Sequence, residues 1–359
     1  MSRKARNQTI DLARVFFIFA VFLCHTHVLC QPGENIPAIM CYGFLGVEFF
    51  FIVSGYLMAA KAANEKSRAL GPATMRFIRK KFGSIIPFYF AAWVLAMIVL
   101  NWGTAWETVR VNVIRALPNL LLLGSAGFTG YQALPPTWYL SAMLLSMLML
   151  YPLLLYFKKT FTCVIAPLVC FFCYGYCFMK VGNLATIDAV EGGFVQTGLL
   201  RGCAGISLGT MCYEEAQRFT KLELNGFAKL LVGIVELSAY TLAFLSMRTQ
   251  TLFRPDFVFV CLTAIGITAS FSGQSCFRFT SSHAWLGRFS LCFYLADPIG
   301  RNLAVMMMPA GTRAERFWPC LGITIYTACT ILLLGGALKL LGHGIRKGAG
   351  KCLLKKSSQ

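Results

Sequence analysis

The sequence predicts an all-α fold: a polytopic membrane helix bundle of about ten transmembrane helices with both termini in the cytoplasm. Three observations lead to this prediction. Hydrophobic residues make up 57% of the 359 residues and charged residues only 13%, whereas soluble domains average about 25% charged residues. Apolar stretches long enough to span a bilayer recur along the whole chain. Most of the 33 lysines and arginines fall on one predicted side of these stretches, as the positive-inside rule requires.

The predicted spans follow one another through connections that contain no soluble domain. They cover residues 9–30, 40–60, 82–101, 137–157, 161–180, 196–214, 227–248, 255–272, 285–308 and 317–341. The basic segment 61–81 then lies inside, and a smaller set of basic residues that includes Arg201 and Arg301 lies outside. We expect one transmembrane domain over residues 1–341 and a basic cytoplasmic tail over residues 342–359, which would lie close to anionic lipids.

The charge and the cysteines are interpreted in the same membrane setting. A net charge of +19 in a soluble chain would suggest a nucleic-acid partner. Here the basic residues report topology, so we expect the lipid bilayer as a partner and no nucleic acid. The 15 cysteines are scattered through apolar stretches, which favours small buried hydrophobic residues over disulfides or metal ligands. We therefore expect no metal, and the sequence does not indicate the oligomeric state.

The first span contains polar residues that a lipid-facing helix would exclude. Asp11, Arg14 and His25 lie in an otherwise apolar stretch, where ionisable side chains are costly. Asp11 and Arg14 are three residues apart and can pair on one helix face. His25 returns to nearly the same face about 16 Å further along the axis. Because a neutral imidazole is a natural general base for a hydroxyl, we predict that this helix forms the wall of a reaction site. A histidine that only links packed helices is the alternative.

The second span is also interrupted by polar residues. Glu48 lies near its start among aromatic residues, and Ser54-Gly55-Tyr56 breaks the apolar run. A glycine at such a position lets a neighbouring helix backbone approach closely. The hydroxyls of Ser54 and Tyr56 can hydrogen-bond across helices or to a ligand, so helix packing and substrate contact are both open.

Basic and aromatic residues mark the starts of the next two spans. The basic residues before the third span are Arg76, Arg79, Lys80 and Lys81. They can anchor the helix at the inner surface, or they can hold the phosphates of a cytosolic ligand. Trp138 and Ser141 open the fourth span, at a depth where tryptophan usually belongs to an interfacial belt.

Three motifs resemble those of the membrane acyltransferase 3 family, the O-acetyltransferases of bacterial surface polysaccharides. Arg14-x10-His25 is similar to the family's Arg-x10-His signature. The stretch from Gly46 to Tyr56, GVEFFFIVSGY, resembles its Gly-Val-Asp-Leu-Phe-Phe-x-x-Ser-Gly-Tyr/Phe block, with Glu48 in place of the aspartate. Trp138-Tyr139-Leu140-Ser141 resembles its Trp-x-Leu-Ser block. The ten-span layout extends the resemblance over the whole chain.

Two positions depart from the family pattern. The family often has Arg-x-x-Arg before its third span, and the matching positions here are Lys81 and Ser84. A late family histidine is replaced by Ala296 or Asp297, depending on the gap in the alignment. The residues that hold the donor, and any role of that histidine, therefore do not transfer directly.

The resemblance implies an integral membrane O-acyltransferase, with a bacterial inner membrane as its expected location. It would move an acyl group, typically acetyl, from a cytosolic acyl-CoA to a hydroxyl of a cell-surface carbohydrate or related glycan or glycolipid. Acetyl-CoA is then a donor substrate, and no permanently bound cofactor is expected. The implied catalytic residues are His25, Arg14 and Asp11. The implied substrate or oxyanion contacts are Glu48, Ser54, Tyr56, Trp138 and Ser141, and the implied acyl-CoA contacts are Lys81, Arg79, Lys80 and Arg76.

Two other functions are compatible with the same features. A transporter or flippase that moves a glycolipid or an acyl compound without chemistry would also have a polar first helix and basic ends. A receptor-like or degenerate homologue is the third hypothesis, because two family motifs are altered. Saturable acyl-CoA hydrolysis distinguishes the enzyme from the carrier.

Overall fold

The computed structural model describes residues 7–37, 41–67, 69–128, 130–187, 190–191, 195–247, 255–277 and 285–356. Its α-helices, in chain order, are α1 Gln8–His25, α2 Gly46–Ala63, α3 Leu70–Leu100, α4 Trp106–Arg115, α5 Leu117–Leu120, α6 Trp138–Phe157, α7 Ala166–Val181, α8 Thr197–Thr220, α9 Gly226–Ser246, α10 Pro255–Ser272, α11 Leu286–Met307 and α12 Arg313–Lys356. Single turns of 3-10 helix lie at Thr26–Leu29, Gly43–Leu45, Gly124–Ala126 and Pro135–Thr137, and a π-helical turn, Phe161–Ile165, precedes α7. The described strands are the two-residue pair β1 Val190–Glu191 and β2 Val195–Gln196, which are antiparallel. The all-α prediction is confirmed.

Each of the ten apolar stretches predicted from the sequence falls on a helix. Seven described helical segments are long and apolar enough to cross a membrane: Gln8–Leu29, Gly43–Ala63, Leu70–Leu100, Pro135–Phe157, Phe161–Val181, Gly226–Ser246 and Arg313–Gly342. The other three predicted spans correspond to α8, α10 and α11. The apolar part of α10 is short, and α8 and α11 contain charged residues among their buried positions. Other helices enclose much of α8 and α11, so these two need less apolar surface than a lipid-facing helix does.

Helices α2 and α8 pack backbone against backbone. A Cβ atom added to Gly55 would lie 2.1 Å from the carbonyl oxygen of Ile206, and one added to Gly209 would lie 2.0 Å from that of Ile52. Only glycine permits this approach, as the interruption in the second span predicts. The close contact sets the start of α2 against the start of α8, and this brings Glu48 to Arg201.

The buried core has two parts that meet along α1 and α2. One part lies among α3, α6, α11 and α12, and the other among α7, α8 and α10. On α1, Phe22 packs in the first part and Phe17 in the second. The helix with the predicted site residues therefore runs through the middle of the bundle.

Helix α12 extends past the predicted end of the last span. It continues without a break from Arg313 through Gly342 to Lys356. A boundary at residue 342 between a membrane domain and a tail is thus not marked by a change in secondary structure, and the separate tail stays a prediction.

Candidate active site

Helix α1 presents polar groups at both of its ends. The side chain of Asn7 caps the helix by accepting a hydrogen bond from the backbone N–H of Ile10 at 3.3 Å. One turn further on, Arg14 Nη1 lies 2.9 Å from Asp11 Oδ1, so the ion pair expected from their spacing is present. Asp11 is buried, with 3% of its surface exposed. His25 is the last residue of the helix, about 16 Å from Arg14 along the axis.

A buried carboxylate holds the His25 ring. His25 Nδ1 lies 2.5 Å from Asp297 Oδ2. The other oxygen of Asp297 accepts a hydrogen bond from Arg301 Nε at 3.0 Å. The Asp297 side chain is 1% exposed, whereas that of His25 is 24% exposed. We call these three residues the His25 cluster. Because Asp297 occupies Nδ1, the ring nitrogen that stays open is Nε2, which makes no hydrogen bond within the described part of the chain.

The structure places Glu48 in a buried ion pair. Glu48 Oε1 lies 2.7 Å from Arg201 Nε, and both side chains are at most 1% exposed. Its other oxygen accepts a hydrogen bond from the Tyr174 hydroxyl at 2.6 Å. The guanidinium carbon of Arg201 lies 4.9 Å from the centre of the Trp138 ring. Both oxygens of Glu48 are thus engaged by protein groups, and its predicted contact with substrate stays a prediction.

The structure separates Ser54 from Tyr56. The Ser54 and Tyr139 hydroxyls both approach the Met143 sulfur, at 3.4 and 3.5 Å. Tyr56 instead stacks on Phe271, with the ring centroids 3.7 Å apart, so it points toward α10. Of the two predicted hydroxyls, the structure therefore brings Ser54 to α6 and turns Tyr56 away from it.

One of the four basic residues before the third predicted span lies close to α1. Lys81 is half-buried and near enough to Arg14 for their positive charges to interact. The charge of Arg14 also acts on Tyr139. We call Arg14, Lys81, Ser54 and Tyr139 the Arg14 cluster. Lys81 adds a second positive charge near the Arg14–Asp11 pair, so this end of α1 carries net positive charge, which suits an anion.

The other three basic residues lie on the exposed part of α3. Arg76, Arg79 and Lys80 are exposed, and Arg76 forms an ion pair with Glu65 at 3.3 Å. The pKa of the Glu65 carboxyl is lowered by a hydrogen bond from the backbone N–H of Ser67 and by the charge of Arg76. Of the four predicted donor contacts, only Lys81 is thus part of the Arg14 cluster.

Trp138 and Ser141 lie at the wall of a recess. The Ser125 hydroxyl donates to the Trp138 carbonyl oxygen at 3.0 Å, and the Ser125 backbone N–H donates to Ser141 Oγ at 3.0 Å. These bonds fix the 3-10 turn Gly124–Ala126 against α6. The recess is small, with a free volume of about 20 Å³, which is room for about one water molecule. Its lining residues are Asn119, Leu122, Gly124, Gln132, Pro135, Thr137, Trp138, Ser141 and Gln196.

Sequence reasoning missed several partners of the predicted residues. Asp297, Arg301, Arg201 and Tyr174 complete the two buried charge networks, although the first two are more than 270 residues from His25. Arg201 and Arg301, which the charge count assigns to the outer side, lie within α8 and α11, where each pairs with a buried carboxylate. The detectable signal was an Asp and an Arg four residues apart in an apolar stretch, a spacing that pairs on a helix.

The described residues contain no group of three His, Cys, Asp or Glu side chains arranged to hold a metal ion. The 14 cysteines whose side chains the structure describes are free thiols.

Comparison with known proteins identifies the family. A family model described as an acyltransferase domain matches residues 7–338. No curated protein and no solved structure matches the chain. The match extends from the cap of α1 into α12 and so includes both clusters. The chain belongs to the membrane acyltransferase 3 family, and its helical bundle is that of a membrane acyltransferase.

Proposed function

We propose that this acyltransferase moves an acyl group, typically acetyl, from cytosolic acyl-CoA to a hydroxyl of a cell-surface glycan or glycolipid. The observation that carries the proposal is the 2.5 Å contact between His25 Nδ1 and Asp297 Oδ2. A carboxylate on one ring nitrogen fixes the tautomer and orientation of the ring and makes the other nitrogen a better base. In a membrane acyltransferase, such a histidine suits removal of a proton from an acceptor hydroxyl.

The proposed arrangement has ten membrane-spanning helices, with both termini on the cytoplasmic side of a bacterial inner membrane. The concentration of basic residues in segment 61–81 and at the C-terminal end supports this orientation. The start of α1, with Arg14 and Lys81, then faces the cytoplasm, and His25 faces the outer half of the membrane. Donor and acceptor would enter from opposite sides.

The donor phosphates suit the cytoplasmic end. We assign Lys81 and Arg14 as the inner contacts of the CoA phosphates, since both side chains are half-buried in the bundle and carry positive charge. Arg79 and Lys80 would meet the ligand at the exposed mouth, and Asp11 would orient Arg14. The thioester arm would extend along α1 toward His25. Acyl-CoA acts here as a substrate, and the proposed reaction uses no bound cofactor.

The proposed reaction is one balanced transfer. The acceptor O–H gives its proton to His25 Nε2 while the oxygen forms a bond to the thioester carbonyl carbon. The C–S bond breaks, and the thiolate of CoA takes the proton back from the imidazolium. The products are an ester and CoA thiol. Asp297 stabilises the imidazolium during the transfer, and Arg301 keeps Asp297 in place. Because Arg14 is about 16 Å from His25 along the helix, we assign Arg14 to the donor and not to the oxyanion.

The test compares two histidines of one chain. His25→Ala should lower acetyl-CoA cleavage by purified protein by about 10²–10⁴-fold, which is the usual contribution of a general base. His27→Ala is the matched control and should retain wild-type turnover, because His27 is exposed and its hydrogen bond among the described residues is to the Cys24 carbonyl oxygen, at 2.7 Å. Free CoA is measured by chromatography, since the 15 cysteines would react with thiol reagents. Equal turnover by both variants would remove His25 from the mechanism. Absence of cleavage by the wild type would favour the transporter.

A further inference from the structure

One arginine near the start of α12 is buried and donates hydrogen bonds to three carbonyl oxygens. Arg316 is 4% exposed. Its Nε donates to the Met308 carbonyl oxygen at 2.8 Å, its Nη1 to that of Leu29 at 2.9 Å and its Nη2 to that of Pro309 at 2.5 Å. A buried charge is costly unless its polar groups are hydrogen-bonded. All three nitrogens of this guanidinium are engaged, so the side chain is held in one orientation.

The accepting carbonyl groups lie at the ends of the two helices that carry the His25 cluster. Leu29 ends the 3-10 turn that directly follows α1. Met308 is the C-terminal cap of α11, which carries Asp297. The C-terminal end of a helix carries a partial negative charge, so two such ends side by side repel each other. The positive charge of Arg316 bonds to both ends and offsets this repulsion.

The other described hydrogen bonds between the segment after α1 and the segment after α11 also come from side chains. Gln31 Nε2 donates to the Gly311 carbonyl oxygen at 3.0 Å. The Glu34 carboxylate accepts from the Arg313 backbone N–H at 3.2 Å. Within the described part of the chain, no backbone–backbone hydrogen bond joins the two segments. Gln31 and Glu34 are half-buried, so Arg316 is the most deeply buried of these three links.

His25 depends on this link because it is the last residue of α1. Beyond it the chain leaves the α-helix for the 3-10 turn, and helix ends fray. Among the described residues, the hydrogen-bond partner of the ring is Asp297 on α11. A shift of the end of α1 relative to α11 would therefore separate His25 Nδ1 from Asp297.

We propose that Arg316 is a positioning residue for the acyl transfer, which keeps the C-terminal ends of α1 and α11 together and so holds His25 Nδ1 against Asp297. The proposal rests on the proposed acyltransferase function. The described hydrogen bonds of Arg316 reach neither His25 nor Asp297, so it acts on the reaction through the tautomer and direction of the imidazole. A misplacement of about 1 Å in a reacting group costs about 10²-fold in rate, which sets the size of the expected effect.

Two substitutions at Arg316 and one elsewhere test the proposal. Arg316→Ala removes all three hydrogen bonds. Arg316→Lys keeps the positive charge but not the planar fork, so it should retain part of the function. If Arg316→Ala does not fold, Arg316→Lys carries both readouts with a smaller effect. Arg218→Ala is the matched control, because Arg218 on α8 forms an exposed ion pair with Glu215 at 2.8 Å and should be dispensable for turnover.

The first readout is the kinetics of acetyl-CoA cleavage by purified variants whose folding is checked by circular dichroism. Arg316→Ala should lower kcat about 10–10²-fold and change KM by less than about twofold, because the Arg14 cluster lies at the other end of α1. Arg316→Lys should lie between Arg316→Ala and the wild type.

A double variant separates positioning from a general packing defect. In the Asp297→Asn background, Arg316→Ala should lower kcat by less than about a further twofold, since the contact that Arg316 maintains is already lost. A general packing defect would instead multiply the two losses, and that result would overturn the proposal. An unchanged kcat in the single variant, or an effect on KM larger than the effect on kcat, would overturn it as well.

The second readout does not depend on acyl transfer. The chain contains four histidines, so ¹⁵N NMR of protein with labelled histidine gives few ring signals, and His25→Ala identifies those of His25. The hydrogen bond made by one ring nitrogen determines which nitrogen carries the proton. The neutral His25 ring should carry its proton on Nδ1 in the wild type and in Arg218→Ala, and should divide between both tautomers in Arg316→Ala.

A single Nδ1–H tautomer in Arg316→Ala would overturn the proposal. If the tautomer changes in Arg316→Ala but the wild type cleaves no acetyl-CoA, the positioning of His25 by Arg316 stands and the proposed transfer fails.

Discussion

Asp297→Asn is the substitution whose effect follows most directly from the geometry. The change keeps the size of a side chain that is 1% exposed and removes only its charge. An ionised Asp297 accepts Nδ1–H from His25 and leaves the lone pair of Nε2 free. An asparagine amide can instead donate to Nδ1, which transfers the ring proton to Nε2 and blocks the base. The variant should therefore lose kcat while its KM for acetyl-CoA stays nearly unchanged, since the Arg14 cluster is about 16 Å away along α1.

The expected loss follows from the contact that is removed. A hydrogen bond to a charged group contributes about 1.5–3 kcal/mol. At 1.36 kcal/mol for each tenfold change in rate, this corresponds to a drop in kcat of about 10–150-fold. The loss should not exceed that of His25→Ala, about 10²–10⁴-fold, because Asp297 acts through His25 as a positioning residue.

The assay is single-turnover acetyl-CoA cleavage by purified protein in lipid nanodiscs, with folding checked by circular dichroism. Glu236→Gln is the matched control, because Glu236 is another buried carboxyl, 2% exposed, whose described partner is the Ser270 hydroxyl at 2.5 Å. If Asp297→Asn fails to fold because Arg301 loses its partner, the double change with Arg301→Gln removes the uncompensated charge. Turnover within twofold of wild type in folded Asp297→Asn would refute the reasoning.

The remaining predictions concern the donor, the buried ion pair and the glycine contact. Lys81→Ala should raise the KM for acetyl-CoA about tenfold or more and lower kcat less, because a charge-assisted contact of about 1.5–3 kcal/mol is lost. Arg79→Ala, at an exposed position, should change KM less. Steady-state kinetics in which Arg79→Ala has the larger effect on KM would reverse the assignment. Arg201→Leu should destabilise the fold by about 3–5 kcal/mol, because Glu48 is left buried and unpaired. In equilibrium unfolding, the double change with Glu48→Leu should recover part of this loss. A double variant less stable than the single one would contradict the ion-pair account. Gly209→Ala should destabilise the fold by about 1–3 kcal/mol, because its Cβ would meet the Ile52 carbonyl oxygen at 2.0 Å. Gly175→Ala should leave stability unchanged, because a Cβ there would meet nothing within 4 Å. Equal unfolding midpoints for the two variants would exclude the close α2–α8 contact.

The sequence predicts the helices well because each apolar stretch is a local signal. All ten stretches lie on helices, and the Asp11–Arg14 pair follows from a spacing of three residues. Gly55 was also interpretable, since a glycine in an apolar helix marks a close approach. These features depend only on residues within a few turns of one another.

The partners of the site residues depend on contacts between distant helices, which no local pattern records. Nothing near His25 indicates that Asp297 lies 2.5 Å away. The charge count assigns Arg201 to the outer side and says nothing of its partner, whereas the structure pairs it with buried Glu48 on another helix. A buried charge whose partner is on another helix is thus not recognisable from its own neighbours in the sequence.

Tyr56 shows a different limit of sequence reasoning. Its position in the Ser-Gly-Tyr motif suggests a substrate hydroxyl. In an α-helix, however, each successive side chain is rotated by about 100° around the axis, so side chains two residues apart point in nearly opposite directions. Ser54 and Tyr56 therefore face different helices: Ser54 reaches Met143 on α6, whereas Tyr56 stacks on Phe271 of α10. A motif read as a unit does not show which of its members share a face.

The most direct measurement supplies labelled acetyl-CoA to the cytoplasmic face of inverted membrane vesicles and follows the label. The account predicts that acetyl appears as an alkali-labile ester on glycans inside the vesicles that contain wild-type or His27→Ala protein, with one CoA released for each ester. Vesicles with His25→Ala should form no ester above background. Label that enters the vesicles equally well with His25→Ala and is recovered as unchanged acyl compound would contradict the account and identify a carrier.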